Sequence, residues 1–528
     1  MGLILEASLL SLPVALVSQD HSPADLPHGA AQEALPSASP DARRHLERAV
    51  QAIGAHDLVQ GEAELRLALQ ADPNLADAYL ILADLELQDG KTGEAFQHFQ
   101  QGLKLNPRSF EGHYNLALAY LREGKRDDGR RELEQATRLN PGNADAAYNL
   151  GVLLVEMGKP QDAVGYLRRA EAGKPGRPDV SFNLVRALLA SGRRADAREQ
   201  AARDSKFLGG DFQWNASVGN LFMEAGDPQE AIRYLQRSAE LDPHRIPARE
   251  QLGAAYLGAN RPEDALTALA NIGSGKAHFL RANAFLRLHR LSLAKQEAAE
   301  AIGEEPDNPR YLILAARLAQ YERPQAHALE LIDKAIEAAP DWSEAYYSQA
   351  VSYYIERRYT DGQRSLDRAI KLDPRSARAL FLYGIIQVNE GNNQKAEEYL
   401  AHAISLDPAN ATFRFHMGAA LLRDNRASEA QQAFEKAIQL RPRYALPHYQ
   451  LAKLLLKQGK NEPAEQELLK AIEFQPDLSP AYYQLSRLYA ENGQKEKAAR
   501  ALATFNKLKK EFNDEDLLLL EDATMAIR

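Results

Sequence analysis

The sequence predicts an all-α protein built as a solenoid, a stack of antiparallel helix pairs with no single enclosing core. Three observations predict it. First, prolines recur at a fixed interval. Pro73, Pro107, Pro141 and Pro175 are each 34 residues apart, and so are Pro306, Pro340, Pro374, Pro408, Pro442 and Pro476. A period in this range is the mark of stacked helical repeats. Second, each 34-residue unit holds two helical patterns separated by a Gly- or Asn-bearing turn, as in Asp89-Gly90, Glu123-Gly124, Met157-Gly158 and Gln458-Gly459. With the proline numbered 32, the first helix is expected over positions 2 to 14 and the second over 18 to 31. The proline expels its predecessor from helical geometry and ends the second helix.

Third, small residues recur in register. Position 20 is Ala or Gly in all fourteen units, from Gly61, Ala95 and Gly129 to Ala464 and Ala498. Position 8 is small in all but one, where Val185 stands. Helices packed at roughly 8–10 Å leave no room for a large side chain where they cross. Position 24 is mostly large, as Leu65, Phe99, Leu133, Leu167, Leu235, Phe434 and Leu468 show, and fills the wedge beside the small residues.

Composition fits such an array. The 528 residues are 45% hydrophobic and 26% charged. A solenoid of that length needs no division into globules, because each unit buries its surface against its neighbours. The net charge of −9 disfavours nucleic acid, whose binding rests on Lys and Arg neutralising phosphates. The absence of cysteine excludes disulfides and thiolate metal sites.

Residues 1–18 are apolar, with Leu3, Ile4, Leu5, Leu9, Leu10 and Leu12. Glu6 and Pro13 make the stretch too interrupted for a membrane span. It resembles the apolar part of a signal peptide with a cut near Ser18, although no Lys or Arg precedes it. On that reading an exported or periplasmic location is favoured over the cytoplasm; the other reading is a frayed N-terminal helix. Residues 19–41 are rich in Pro, Ala and Ser and are read as a disordered linker. Residues 42–274 form a first array of seven repeats. The fifth is degenerate, with Val185, Asp204 and Gly209-Gly210 in place of the usual small residues and proline. The seventh is cut short by five residues. Gly273-Ser274-Gly275-Lys276 lacks the first Gly and the final Ser or Thr of a phosphate loop and is read as a joint. Residues 275–510 form a second array of seven repeats, and 511–528 a capping helix with Leu517 to Leu520 as its apolar side.

These residues carry a resemblance. Leu252-Gly253-x2-Tyr256 with Ala265, and Leu150-Gly151 with Ala163 and Pro175, are similar to the signature of the tetratricopeptide repeat (TPR), and Tyr79, Tyr346 and Tyr482 supply its position-4 aromatic. The resemblance covers residues 42–510. It implies a right-handed superhelical solenoid in two arrays joined near 270–276, with the first helices lining a concave face through positions 2, 5, 6, 9, 12 and 13.

Two groups on that face stand out. Tyr114-Asn115, Tyr148-Asn149 and Phe182-Asn183 occupy positions 5 and 6 of consecutive repeats. An Asn amide donates and accepts at once, so a row of them can hold an extended chain by its backbone. This resembles the asparagine ladder in the TPR portion of O-linked N-acetylglucosamine transferase. The competing reading is that Tyr-Asn here is simply common in TPRs. The second group is basic: Arg423, Lys453, Lys457 and Arg487, with His416, Gln450 and Gln484, fits an acidic ligand, against the alternative of a solvated face. Asp77, Glu111, Asp145 and Asp179 at position 2 need only the helix dipole. No Lys occupies position 5, which excludes the carboxylate clamp of chaperone-binding TPRs.

No nucleophile, base and orienting group recur in a catalytic pattern, and no metal or cofactor motif appears. The expected function is a non-catalytic protein–protein interaction scaffold or adaptor that binds an extended peptide or a partner helix, without nucleic acid, metal or cofactor. The alternatives are a periplasmic assembly component of a secretion or polysaccharide-export machine, and a regulatory subunit of an enzyme such as a glycosyltransferase acting in trans.

Overall fold

The structure is a computed structural model and describes residues 39–320 and 326–508. Among them every regular element is a helix. The apolar N-terminal segment, nearly all of the expected linker and the expected C-terminal cap lie outside the described residues. Pro40 and Asp41, assigned by sequence to the linker, open the first helix, and Ser39 caps it by accepting from the Ala42 amide at 3.2 Å.

The chain divides into two units, Met1–Asn271 and Ile272–Arg528. Each is a run of antiparallel helix pairs in which the second helix of one repeat packs on the first helix of the next. The fourth repeat is representative, with helices Ala144–Glu156 and Pro160–Gly173. These are positions 1–13 and 17–30, one residue earlier at each end than the periodicity predicts. For the start of the first helix the reason is capping. The residue just before the helix, such as Ser109 or Asn143, supplies a side-chain acceptor to the first turn, so the helix starts directly after it.

The small residues lie where helices cross. A Cβ on Gly151, at position 8, would come within 2.6 Å of Leu167 Cγ at position 24 of the same repeat. Leu167 itself is fully buried. Position 20 meets position 12 in the same way: a Cβ on Gly129 would lie 2.6 Å from Leu121 Cδ2, and the equivalent Ala163, Ala197 and Ala231 are fully buried. In the first unit these contacts merge into a core running from Tyr114 to Ala255. In the second unit, the clusters around Phe381 and around Phe434 do the same for its later repeats.

Between the two helices of a repeat the chain turns through position 15 in the left-handed region. Glycine serves in most repeats, but His56, Asn260, His289, Arg357 and Asn425 adopt φ between 56° and 62° there. Position 4 supplies a second fastening. His113 Nδ1 meets Glu132 at 2.6 Å, and His278 Nδ1 meets Glu297 at 2.8 Å. His45–Glu64 and His448–Glu467 repeat the same 19-residue link between first and second helix. Two of the position-4 tyrosines donate instead to the preceding proline carbonyl, Tyr346 to Pro340 at 3.0 Å and Tyr482 to Pro476 at 3.1 Å.

Two irregular repeats have local causes. In the fifth, the second helix, Arg194–Leu208, carries Asp204 where most repeats have Ala. The carboxylate is buried, accepts from Ser181 Oγ and from Gln200 Nε2 at 2.9 Å, and Trp214 Nε1 donates to Ser181 Oγ at 3.0 Å. A polar cluster thus replaces the usual apolar contact, and every member is hydrogen-bonded. In the seventh, the second helix is only Pro262–Ala268. Carbonyls at its end are taken by Arg249, whose guanidinium donates to Ala268 O at 3.0 Å and Ala270 O at 2.7 Å. Ser274, from the phosphate-loop lookalike, caps the following helix through the Ala277 amide at 3.2 Å.

Candidate functional site

Within each unit, first helices of adjacent repeats approach one another closely, as Pro178–Ala190 does with Phe212–Glu224, while second helices do so far less. In a curved stack the elements on the inside of the curve are the closer ones, so the first helices form the inner face. Positions 2, 6, 9 and 13 share one side of such a helix by their spacing. Contacts between neighbouring first helices include these rows and positions 5 and 12 beside them, as in Asn115–Asp84, Asn149–Tyr114 and Arg423–Val388, and also position 3, as in Phe413 on Phe381.

In the first unit the rows are tied by hydrogen bonds from repeat to repeat. Asn115 Nδ2 donates to Asp84 Oδ2 at 2.6 Å. Asn149 Nδ2 donates to Tyr114 Oη at 2.9 Å, and Asn183 Nδ2 to Tyr148 Oη at 3.2 Å and to Asp179 O at 2.9 Å. Asn149 and Asn183 are buried, Asn115 is partly exposed, and Phe182 is buried in place of a third tyrosine. The Asn183 Oδ1 atom is buried with no hydrogen-bond partner. Burial, followed by the charge of Asp145, pushes the Tyr114 phenol up; burial and Asp179 do the same at Tyr148. Both hydroxyls therefore stay protonated.

The acids of this face divide into two kinds. Asp145 and Asp179, read from sequence as partners of the helix dipole, are ion-paired. Arg177 Nη1 lies 2.8 Å from Asp145 Oδ1, its Nε donates to Asp179 at 3.1 Å, and Lys174 Nζ reaches Asp145 Oδ2 at 2.6 Å. Arg177 also sits over the Tyr148 ring at 5.1 Å. Asp84 is different. Burial pushes its carboxyl up to about 7, against the opposing pull of the Asn115 hydrogen bond and the Arg122 charge. Asp77 is also raised, by burial and then by Glu111. Sequence reasoning missed Asp84. The available signal was a lone carboxylate in position 9, a row otherwise apolar in the repeats beside it (Val50 and Leu118).

In the second unit the basic group occupies the same rows. His416 is buried between the rings of Phe381 and Phe415, at 5.3 and 5.0 Å between centroids. Gln450 is buried and Gln484 partly so. Lys453 Nζ lies over the Tyr449 ring at 5.4 Å. Arg423 Nη1 donates to Val388 O of the preceding repeat at 3.2 Å. Arg487 lies 3.7 Å from Glu491, and Lys457 is exposed. The ladder residues belong to the first unit and the basic group to the second.

Among the described residues no group of His, Asp and Glu is arranged to hold a metal ion, and no helix is long and apolar enough to cross a membrane. What the geometry defines is a helical-repeat scaffold with a continuous row of side chains along the inside of each array. Family models agree. Models of the tetratricopeptide repeat match residues 114–178, 347–411 and 385–445, a second set matches 154–218, 222–274 and 421–486, and further ones match 83–124 and 479–511. The chain belongs to the tetratricopeptide repeat family. No curated protein matches it. Among solved structures it is similar to the APC/C hetero-tetramer Cut9–Hcn1, at 13% identity and TM-score 0.42 over 87% of this chain and 96% of that one. It is similar also to yeast Tom70, at 17% identity and TM-score 0.36 over 86% and 95%. A third is YrrB, described as a TPR protein with an unusual peptide-binding site, at 21% identity and TM-score 0.32 over 35% and 95%.

Proposed function

We propose that this protein is a non-catalytic scaffold whose first helices cradle an extended peptide segment of a partner protein. The observation that carries the reading is the Asn183 side chain. Its Nδ2 is fully used within the fold, yet its Oδ1 is buried and has no donor. A buried acceptor left open costs about 1–3 kcal/mol, so it calls for an explanation. A bound chain that parts the side chains covering Oδ1 supplies the missing donor from a backbone N–H. Asn115 and Asn149 extend the same row, so the ligand is gripped through its main chain with little side-chain preference. The scaffold side is already ordered, which keeps the entropic cost of binding modest. A protein partner fits better than nucleic acid, because the chain carries a net charge of −9.

The test is selection of unstructured peptides on the full chain, followed by fluorescence anisotropy on wild type and on the Asn115→Ala, Asn149→Ala, Asn183→Ala triple variant. The triple variant should lose about ten-fold or more in affinity, one or more hydrogen bonds' worth. Equal affinity in a folded triple variant would sink the reading.

A further inference from the structure

We infer that the inner face of the second unit docks an acidic, extended peptide whose carboxylates recur about every third residue. This rests on the first helices being the working face and adds the chemistry of a second ligand. Position 2 carries Lys276, Arg310 and Arg378, and position 9 carries Arg317, Lys453 and Arg487. Position 13 adds Arg287, Arg423 and Lys457. Among the described residues the only acids in these rows and in position 6 are Glu344 and Glu491, each beside a cation: Glu344 is 3.3 Å from Arg378, and Glu491 is 3.7 Å from Arg487.

The sign of this charge is not a property of the repeat. In the first unit the same rows are dominated by acids, with Asp77, Glu111, Asp145 and Asp179 in position 2 and Asp84 in position 9, against Arg43, Arg122 and Arg186. Position 2 lies in the first helical turn, where unpaired amides favour negative charge. Arg287, Arg423 and Lys457 in position 13 lie in the last turn and follow the dipole, but Lys276, Arg310 and Arg378 run against it, Arg378 with Glu344 beside it. Nor does overall composition explain them, since the chain is net acidic. Cations maintained against the helix dipole, on one face of one unit, point to an anionic ligand.

The spacing selects the form of that ligand. Adjacent helices pack about 8–10 Å apart, and an extended peptide advances about 3.2–3.4 Å per residue. One repeat therefore spans about three residues, so the best match is a carboxylate at every third position. Of the position-6 residues in the last three repeats, His416 and Gln450 are buried and support the row, and the partly exposed Gln484 is the one that meets the main chain of such a peptide. A polynucleotide fits less well, because its phosphates recur more closely and the long-range field of a net-acidic protein repels it.

The probes are three labelled peptides of about fifteen residues, spanning about five repeats: Asp at every third position among Gly and Ser, the same Asp residues in one block, and Lys replacing Asp in the first. Single-stranded oligothymidylate of matching length is the fourth. Binding to the full chain is read by anisotropy at low and physiological salt, with circular dichroism confirming the fold of each variant. The spaced acidic peptide should bind about ten-fold or more tighter than the block and the Lys peptide. The combined Arg310→Glu, Lys457→Glu and Arg487→Glu variant should lose that binding, and the triple Asn→Ala variant of the first unit should keep it. Equal binding of spaced and block peptides, indifference to the charge reversal, or tighter binding of the oligonucleotide would each overturn the proposal. So would self-association of the chain that the charge reversal abolishes, since the occupant would then be a second copy. Loss of peptide binding in the Asn variant alone would bear on the first unit only, so the two readings fail separately.

Discussion

The side-chain amide of Asn149 donates to the hydroxyl of Tyr114, one repeat earlier, at 2.9 Å. Asn183 makes the same bond to Tyr148. The Tyr-Asn pairs are therefore ties between adjacent first helices as well as a row on the inner face. Tyr114→Phe removes an acceptor from Asn149 while keeping the ring. We expect it to lower stability by about 1 kcal/mol, with a coupling of similar size in the double-mutant cycle with Asn149→Ala. Denaturant titration of the four proteins measures it. A cycle with zero coupling would mean that the bond contributes nothing to the stack.

Gly151 tests the close crossing of helices. An added Cβ would lie 2.6 Å from Leu167 Cγ and 2.8 Å from its Cδ2. Leu167 is fully buried and has little freedom to withdraw. Gly151→Ala should therefore destabilise the fold by about 1–3 kcal/mol, outweighing the better helix propensity of Ala. Thermal melting decides it: an unchanged or raised midpoint would show that the neighbouring helix gives way without cost.

Arg357 sits at φ 59° in the turn where most repeats place Gly. A left-handed conformation costs a side-chain-bearing residue about 1–2 kcal/mol, and glycine's extra chain entropy returns only part of that. Arg357→Gly should raise stability by roughly 1 kcal/mol, and Gly459→Ala, at φ 71° in the equivalent place, should lower it by a similar amount. If both substitutions moved the midpoint in the same direction, the strain argument would be wrong.

The helix pairs were legible because their causes are local. Pro175 ends one helix, Gly158 turns the chain, and Gly151 with Ala163 must face a neighbour since both are small and in register. The inner-face bonds were not legible. Asn149 and Tyr114 are 35 residues apart, and sequence alone cannot say whether an amide in that row meets a ligand or the next repeat. The role of Asp145 was also hidden. The helix dipole accounts for an acid at its position, and only the folded loop brings Lys174 and Arg177 within 2.8 Å of it. Asp204 breaks the repeat pattern, yet Ser181, Gln200 and Trp214 surround it with a satisfied hydrogen-bond cluster that no spacing rule announces.

Asp84 gives the array a pH dependence with a definite sign. Its carboxyl is raised in the folded state to about 7 by burial, while an unfolded chain returns it to the ordinary carboxylate range. Folding therefore takes up a proton between about pH 4 and 7, and the stability this group contributes is complete below its unfolded value and lost as pH rises through about 7. His113 acts in the same direction. Burial disfavours its charged ring, but Glu132 and the Pro107 carbonyl outweigh that and raise it, so its contribution is present below the usual histidine value and lost as pH rises above it. Glu467, lowered by His448 and Lys470 against its burial, works the other way and loses its contribution only as pH falls through the folded carboxylate value. We expect stability from denaturant titration to be greater at pH 6 than at pH 8. Asp84→Asn keeps a group of the same shape beside Asn115 and removes the titration, so it should flatten most of that difference and leave a smaller remainder from His113. A slope identical in wild type and Asp84→Asn would show that Asp84 titrates alike in the folded and unfolded chain, and the burial argument would fall.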